Sequence, residues 1–297
     1  MQNPNSSKSP REASDNGGDV SPLEPGLYLV STPLGNARDI TLRALDVLKD
    51  AEVLVAEDTR TLRRLMEIHG LALNGRRVVA YHDHSGTRDR DVVLRALDEG
   101  KSVAYASEAG TPLVADPGYQ LVQGAIAADH KVIPVPGASA MVAAISIAGL
   151  PSNRFTFLGF PPQQKSARRR FFEGETGTPG TLILYESPKR LGACLADAAD
   201  ALGADRPAAI CRELTKKFEE TRRGTLKSLS EEYAETPPKG EIVVLIGEGE
   251  TTIDMVDVEA ALRRAMESQK LKDAAREVAD HYGLSRRDLY QLGLTFD

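Results

Sequence analysis

Val103-Ala104-Tyr105-Ala106-Ser107-Glu108-Ala109-Gly110-Thr111-Pro112-Leu113-Val114-Ala115-Asp116-Pro117-Gly118 is the stretch whose reading decides the fold. It opens as an apolar run with β-propensity and breaks into a loop carrying two glycines and two prolines. It then hands over to Tyr119, Leu121, Val122, Ala125 and Ile126 at helical spacing. Strand, rigid loop and helix together form the unit that places ligands at the carboxyl end of a parallel sheet. Proline fixes φ and glycine lets a backbone approach a ligand closely, so such a loop is preshaped and thin. Leu29-Val30-Ser31-Thr32-Pro33-Leu34-Gly35-Asn36 before it and Val132-Ile133-Pro134-Val135-Pro136-Gly137-Ala138-Ser139 after it repeat the grammar. Any one of these alone reads as an ordinary turn. Three within one domain point to a cleft for a small ligand.

Working outward, the chain of 297 residues is long for one α/β domain and comfortable for two. Hydrophobic content of 41% and charged content of 27% are those of a soluble globular protein. The formal charge is −6, so a nucleic-acid partner has to be held by local basic patches rather than by the overall field. Cys194 and Cys211 show no metal-ligand spacing and read as buried apolar residues of a reducing compartment. No apolar run approaches the roughly 20 residues needed to span a bilayer. The expectation is a cytoplasmic protein with no membrane role. Residues 1–24, rich in Asn, Ser, Pro and Gly, read as a disordered tail without the apolar core of a signal peptide.

Strand–helix alternation continues from Gly26, with a strand over Leu27–Thr32 and a helix capped by Asp39 that turns Leu42, Leu45 and Leu48 inward. Val53–Ala56 runs into Glu57-Asp58-Thr59-Arg60 and a helix marked by Leu62, Leu65 and Met66. Arg77–Tyr81 ends in His82-Asp83-His84-Ser85, and a helix follows around Val93, Ala96 and Leu97. The first domain, 25–148, is therefore read as a mostly parallel sheet covered on both faces. Beyond Gly149-Leu150-Pro151-Ser152, strands at Phe155–Phe160, Thr181–Tyr185, Ala208–Cys211 and Glu241–Ile246 suggest a mixed sheet over 151–248. Residues 254–297 are helical throughout, with Ser285-Arg286-Arg287-Asp288 resembling a capping box after a Gly283 turn. That outline fits a helix-turn-helix or a plain helical hairpin. Without visible base-reading residues the hairpin, or general RNA affinity, is preferred; no DNA partner is expected.

Several chemistries drop out. Neither a G-x-G-x-x-G after the first strand nor a phosphate-binding P-loop is present, and Pro136-Gly137-Ala138-Ser139-Ala140 lacks the second glycine of a nucleophile elbow. His82 and His84 share a face of a strand-like stretch with no third ligand nearby, so no metal is expected. What remains is a cleft with carboxylates on one side and cations on the other. Glu57, Asp58, Glu108, Asp116, Glu186 and Glu213 all fall at strand ends, which converge in space. Helix capping or pairing with Arg60 and Arg212 would equally explain Asp58 and Glu213. Arg60, and the clusters Lys165, Arg168, Arg169, Arg170, then Lys189, Arg190, then Lys216, Lys217, are candidates for a phosphate-backbone surface.

These residues resemble the tetrapyrrole methylase superfamily, and within it the ribosomal RNA small subunit methyltransferase I family. The motifs are Ser31-Thr32-Pro33-Leu34-Gly35-Asn36, Ala56-Glu57-Asp58-Thr59-Arg60, Ser107 to Pro112 with Asp116-Pro117-Gly118, and Pro134-Val135-Pro136-Gly137. Tyr185-Glu186-Ser187-Pro188 and Arg212-Glu213-Leu214-Thr215-Lys216-Lys217-Phe218 single out the ribosomal branch. The resemblance implies two α/β domains with S-adenosylmethionine in the cleft between them, and a homodimer. It also implies methylation of a cytidine ribose 2′-hydroxyl in the decoding region of 16S ribosomal RNA, in the small ribosomal subunit. Carried over by motif, the cofactor would be held by Pro33, Leu34, Gly35 and Asn36, by Ser107, Glu108, Ala109, Gly110, Thr111 and Pro112, and by Asp116, Pro117 and Gly118. Pro136, Gly137, Ala138, Ser139 and Tyr185 complete that set. Two positions depart from the family pattern, Glu108 where aspartate is usual and Ala138 where proline is usual. Positioning should supply much of the rate, with Glu57, Asp58, Glu186 or His82 as candidate bases. A tetrapyrrole substrate and a non-catalytic ribosome-assembly role are the rival readings.

Overall fold

A computed structural model describes residues 23–81, 87–249, 255–282 and 284–296. Residues 1–22 of the expected tail, His82 and Gly283 lie outside the described residues. Leu23, expected in that tail, packs on the first domain's core, and Glu24 pairs with Lys131 at 2.7 Å. The first sheet is built from β1 (Gly26–Val30), β2 (Val53–Ala56), β3 (Val78–Ala80), β4 (Ser102–Ala106) and β5 (Val132–Val135). Its spatial order is β3-β2-β4-β1-β5, and its neighbouring strands all pair in parallel. Helices α1 (Leu42–Asp50), α2 (Thr59–Ile68), α3 (Thr87–Asp98) and α4 (Tyr119–Ala127) connect them.

The order of strands explains where the helices lie. The chain moves outward from β1 to β2 and β3, then returns to β4 and passes over to β5. Right-handed crossovers in opposite directions put their helices on opposite faces of the sheet. Accordingly Ala44, Val47, Leu48, Leu62 and Met66 of α1 and α2 share one core cluster with Tyr28, Val30, Leu54 and Ala104. Val93, Leu97, Leu121 and Ala125 of α3 and α4 share the other with Leu27, Val55, Val103 and Tyr105. β1 and β4 are neighbours whose connections leave in opposite directions, so a crevice must open at their carboxyl ends.

Two details of the first half differ from expectation. Thr41, not Asp39, caps α1 by accepting from the Ala44 amide, while Asp39 belongs to a single 3₁₀ turn over Ala37–Asp39. The cap moves the inner face to Ala44, Val47 and Leu48 and leaves Leu42 81% exposed. On α4, Tyr119 and Ile126 point outward and only Leu121 and Ala125 are buried among the expected five.

The second sheet has the order β6-β7-β10-β8-β9, from β6 (Phe155–Phe157), β7 (Thr181–Glu186), β8 (Pro207–Arg212), β9 (Glu220–Thr225) and β10 (Ile242–Ile246). β6 and β7 are parallel, whereas β10 runs antiparallel to β7 and β8, and β9 antiparallel to β8. One face packs on α5 (Ala140–Ala148) through Ala144, Ile145 and Ala148. The other packs on α6 (Lys165–Gly174), α7 (Leu191–Leu202) and α8 (Leu226–Glu235). β9 and α8 were not foreseen. The β9 residues Glu-Thr-Arg-Arg-Gly-Thr lack apolar alternation because this edge strand buries no face and is held by backbone pairing from Pro207↔Thr225 to Arg212↔Glu220. Thr225 and Ser228 then form a reciprocal capping box that starts α8.

Three helices complete the chain: α9 (Met255–Met266), α10 (Leu271–Tyr282) and α11 (Arg286–Gly293). They share a core of Val258, Leu262, Ala274, Ala275, Val278, Ala279 and Leu289. Ser285 caps α11 by accepting from the Asp288 amide. Cys194 and Cys211 are free and buried. Among the described residues no helix is long and apolar enough to cross a membrane.

Candidate functional site

The crevice demanded by the topology is walled by all three Pro/Gly loops, which are laced to one another. Thr32 and Gly110 exchange two backbone bonds, 2.9 Å and 3.0 Å, joining the first loop to the central one. The Thr32 hydroxyl donates to the Ser107 carbonyl, and the Ser107 hydroxyl donates to the Gly110 carbonyl at 2.5 Å. The Ser31 hydroxyl donates to Thr111 Oγ1, whose own proton goes to the Ala138 carbonyl in the third loop at 2.9 Å. Gly137 packs against Ser31 so closely that a Cβ there would sit 2.9 Å from the serine Cβ. Leu113 and Ala115 hold positive φ values of 70° and 58°, a conformation that persists only where the surroundings over-determine it.

Between these loops and the second sheet lies an inner cavity of about 360 Å³. Of the residues named from the motifs, Leu34, Ala109, Gly110, Thr111, Asp116, Ser139 and Tyr185 line it. Pro33, Gly35 and Glu108 instead line an outer cavity of about 750 Å³ that shares Leu34, Ala109, Asp116 and Glu241 with the inner one. Asn36, Ser107, Pro112, Pro117, Gly118, Pro136, Gly137 and Ala138 line neither cavity; they shape the loops behind the walls. The floor comes from residues not foreseen: Phe160, Ser187, Pro188, Leu214, Gly240, Ile242 and Val243. Phe160 and Phe157 meet Tyr185 edge-on, with ring centroids 5.6 Å and 4.9 Å away, and burial raises the Tyr185 phenol above its ordinary range. The Tyr185-Glu186-Ser187-Pro188 and Arg212-Glu213-Leu214 motifs signalled this side, while Phe160, Gly240, Ile242 and Val243 carried no signal.

Lys216 ties the two halves together across the opening. Its Nζ lies 2.9 Å from Glu241 and 3.2 Å from Glu213, while its methylenes lie against Gly35, where an added Cβ would clash with Lys216 Cγ. Burial alone would lower its ammonium pKa, but Glu241 and Glu213 outweigh it and the value is raised. Glu213 lies below the usual carboxylate range, through the Glu241 amide first and Lys216 after it. Glu213 and Thr215 both adopt positive φ, and the Asn36 amide donates to the Thr215 hydroxyl at 3.2 Å. The segment is thus a strap from the second sheet to the first loop. Lys216→Ala is expected to lower stability in denaturant melts by about 1 kcal/mol, the scale of partly exposed pairs. Lys216→Met keeps the stem and separates its packing from its charge.

Of the candidate bases, Glu186 lines the inner cavity and Asp58 the outer one. Asp58 caps α2, accepting from the Arg60 and Thr61 amides, and pairs with the Arg60 guanidinium at 2.7 Å. The Arg60 side chain, followed by its backbone amide, holds the Asp58 carboxyl well below the usual range, which makes it a weak base. The Glu186 carboxylate is fully buried, accepts from the Ser187 amide and is paired with Arg190 at 2.5 Å. It braces the Ser187–Pro188 wall of the inner cavity. Glu57 is half-buried at the end of β2 and lines neither cavity. Among the described residues no group of His, Cys, Asp and Glu is arranged to hold a metal ion.

The basic candidates divide by burial. Lys165, Arg169, Arg170, Lys189 and Lys217 are exposed, as is Arg60. Lys216 belongs to the strap, and Arg190 is paired with Glu186. Arg168 corrects the surface reading: only 5% exposed, it packs inside α6 against Asp197, with its Nη2 at 2.6 Å from the carboxylate. A guanidinium so enclosed has no face left for an external phosphate.

Residues 26–230 match the family described as Tetrapyrrole (Corrin/Porphyrin) Methylases, and residues 253–296 match the RsmI C-terminal HTH domain. The second match favours the helix-turn-helix outline over the plain hairpin, and α9 supplies a third helix to it. A Ribosomal RNA small subunit methyltransferase I of Mesorhizobium japonicum is 46% identical over 272 residues, covering 91% of this chain and 92% of the relative. The protein of the same name from Halalkalibacterium halodurans is 40% identical over 277 residues, covering 90% and 93%. Among solved structures, the cobalt precorrin-4 methyltransferase CbiF aligns with a TM-score of 0.58 at 18% identity, over 74% of this chain and 94% of that one. The Thermus thermophilus uroporphyrin-III C-methyltransferase complexed with S-adenosyl homocysteine aligns at 0.51 and 20% identity, over 75% and 97%. At such identities these two structures speak for the fold alone.

Proposed function

The chain belongs to the tetrapyrrole methylase family, and within it to the S-adenosylmethionine-dependent ribosomal RNA small subunit methyltransferase I branch, and on that premise we propose that it methylates a cytidine ribose 2′-hydroxyl in the decoding region of 16S ribosomal RNA. The observation that carries this reading is the convergence of three Pro/Gly loops on one inner cavity. The cavity fits S-adenosylmethionine in size, since small-ligand sites run from roughly 300 to 1,000 Å³. It fits in chemistry as well. Asp116 and Glu241 are acceptors suited to ribose hydroxyls or an ammonium, and Tyr185 and Phe160 offer ring faces and edges to an adenine or a sulfonium.

When bound, the cofactor supplies a methyl on a sulfonium, whose transfer breaks the carbon–sulfur bond, forms a carbon–oxygen bond and releases a hydroxyl proton and S-adenosylhomocysteine. The protein's part is orientation. The laced loops hold one wall rigid, Glu186 braces the other, and the Lys216 strap closes the gap between them. Such positioning to roughly 3 Å supplies a large share of a methyl-transfer rate without a strong base. Neither Asp58, weakened by Arg60, nor Glu186, buried against Arg190, is suited to take the proton. Of the four candidates that leaves Glu57 and His82, with solvent as the acceptor where neither takes the proton.

The small ribosomal subunit is the proposed substrate of a cytoplasmic homodimer, met through the exposed cations Lys165, Arg169, Arg170, Lys189 and Lys217 of an otherwise acidic chain. The test is methyl transfer from labelled S-adenosylmethionine to isolated small subunits, naked ribosomal RNA and a tetrapyrrole acceptor, followed by nucleoside analysis. Labelled 2′-O-methylcytidine is the expected product. Label on the tetrapyrrole, or cofactor binding without transfer to any acceptor, would overturn the reading.

A further inference from the structure

The outer cavity is the larger of the two, and methyl transfer to RNA does not by itself assign it a ligand. It opens beside the inner one across Leu34, Ala109, Asp116 and Glu241, so whatever sits in it faces the bound cofactor. Its opposite wall is α2. Arg60, Thr61, Arg64, Leu65 and Ile68 all line the cavity, at positions that fall on one stripe of the helix. Arg60 and Arg64 are one turn apart and reach into water, their side chains 89% and 69% exposed. Both are engaged in exposed ion pairs, with Asp58 and Glu67, which a phosphate can exchange against. Ile68 is half exposed on the same stripe and has no polar role there.

On the α2 side of this cavity Arg60 and Arg64 stand with Asp58, which Arg60 neutralises at 2.7 Å. The carboxylates of Asp116 and Glu241 stand at the wall shared with the cofactor cavity, with Glu108 nearby. A matching ligand is anionic at its outer end, donates hydrogen bonds at its inner end, and carries a flat or apolar body between. A ring bearing carboxylates on every edge would bring negative charge against Asp116 and Glu241. A nucleotide satisfies all three conditions, with its phosphates outward and its ribose hydroxyls inward.

Resting on the proposed RNA methyl transfer, we propose that the outer cavity seats the acceptor nucleotide, drawn out of its stack, with Arg60 and Arg64 on the flanking phosphates and Leu65 and Ile68 beside the base. At about 750 Å³ the cavity has room for an unstacked nucleotide, and enzymes that act on a single nucleotide in a pocket take it out of its stack. The orientation turns the ribose edge toward the cofactor, which selects a sugar hydroxyl rather than a base atom as the methyl acceptor. Arg64 and Ile68 thereby become specificity residues that no motif marked.

The test compares Arg64→Glu, Ile68→Ala and Arg95→Glu, all at exposed helical positions. Arg95 lies on α3, on the opposite face of the sheet, and reports the effect of a charge reversal alone. The readouts are KM and kcat for isolated small subunits, affinity for a single-stranded RNA in the presence of S-adenosylhomocysteine, and S-adenosylhomocysteine affinity by calorimetry. Arg64→Glu is expected to raise KM and the RNA dissociation constant at least tenfold, and Ile68→Ala to raise KM about threefold. Cofactor affinity and the Arg95→Glu enzyme should stay within twofold of wild type. Wild-type transfer to RNA with Arg64→Glu and Ile68→Ala both unchanged would overturn the seat and leave the function standing. A wild-type protein that methylates no RNA would overturn both.

Discussion

Gly118→Ala is expected to weaken S-adenosylmethionine binding at least tenfold and to lower the melting temperature by several degrees. Gly118 ends the central loop at φ 120°, outside the region that residues with a Cβ adopt comfortably. An added Cβ would fall 2.7 Å from Cε1 of Tyr105, a ring 1% exposed whose hydroxyl donates to the Pro117 carbonyl at 2.8 Å. Backbone strain and overpacking each cost about 1–3 kcal/mol, so a combined loss of about 3 kcal/mol is expected. The loop relieves it by shifting Pro117 and Asp116, and Asp116 lines both cavities. Gly70→Ala is the control, because Gly70 also has positive φ, 67°, but nothing within 4 Å of a new Cβ. It should lose only the left-handed cost, about 1 kcal/mol, and keep its cofactor affinity. Tyr105→Phe should not rescue Gly118→Ala, since the blocking atom is a ring carbon that phenylalanine retains. Calorimetry and thermal melts decide it: equal behaviour of the two glycine variants would mean that the central loop tolerates displacement.

What the chain disclosed in advance follows from which forces leave a pattern in residue order. The first sheet was legible because buried parallel strands are short apolar runs and its loops are punctuated by Pro and Gly. The convergence of the loops was legible for the same reason, since strand ends meet at one edge whatever their order. The floor of the inner cavity was mostly hidden. Leu214, Gly240 and Ile242 reach it only because β10 runs antiparallel between β7 and β8, a pairing that no local signal announces. The β9 edge was hidden because a strand held by backbone pairing and polar side-chain contacts needs no apolar alternation. Charged residues misled most. Arg168, Arg169 and Arg170 read alike in a row, but at 100° per residue a helix sends one into the core and the others to water.

That last distinction yields the largest stability effect expected of a single side chain here. Arg168 and Asp197 bury their charged groups to side-chain exposures of 6% and 4%, joined through Nε at 2.8 Å and Nη2 at 2.6 Å, with Nη1 donating to the Gln163 carbonyl. Arg168→Ala leaves the Asp197 carboxylate enclosed with no cation, and removing one member of a buried pair costs about 3–5 kcal/mol. Replacing both, as Arg168→Met with Asp197→Leu, removes the desolvated charges together and should recover most of that loss. Arg169→Ala gives up only a 3.8 Å contact to Asp200 between exposed side chains, worth about 0–1 kcal/mol, and should melt with the wild type. The two arginines therefore separate by assay as well as by burial. Arg168→Ala should show a lowered denaturation midpoint. Arg169→Glu should fold normally and bind small-subunit RNA more weakly, with a shallower salt dependence because one phosphate contact is gone. A stable Arg168→Ala protein with weakened RNA binding would return Arg168 to the surface and overturn the assignment of α6 as half core, half interface.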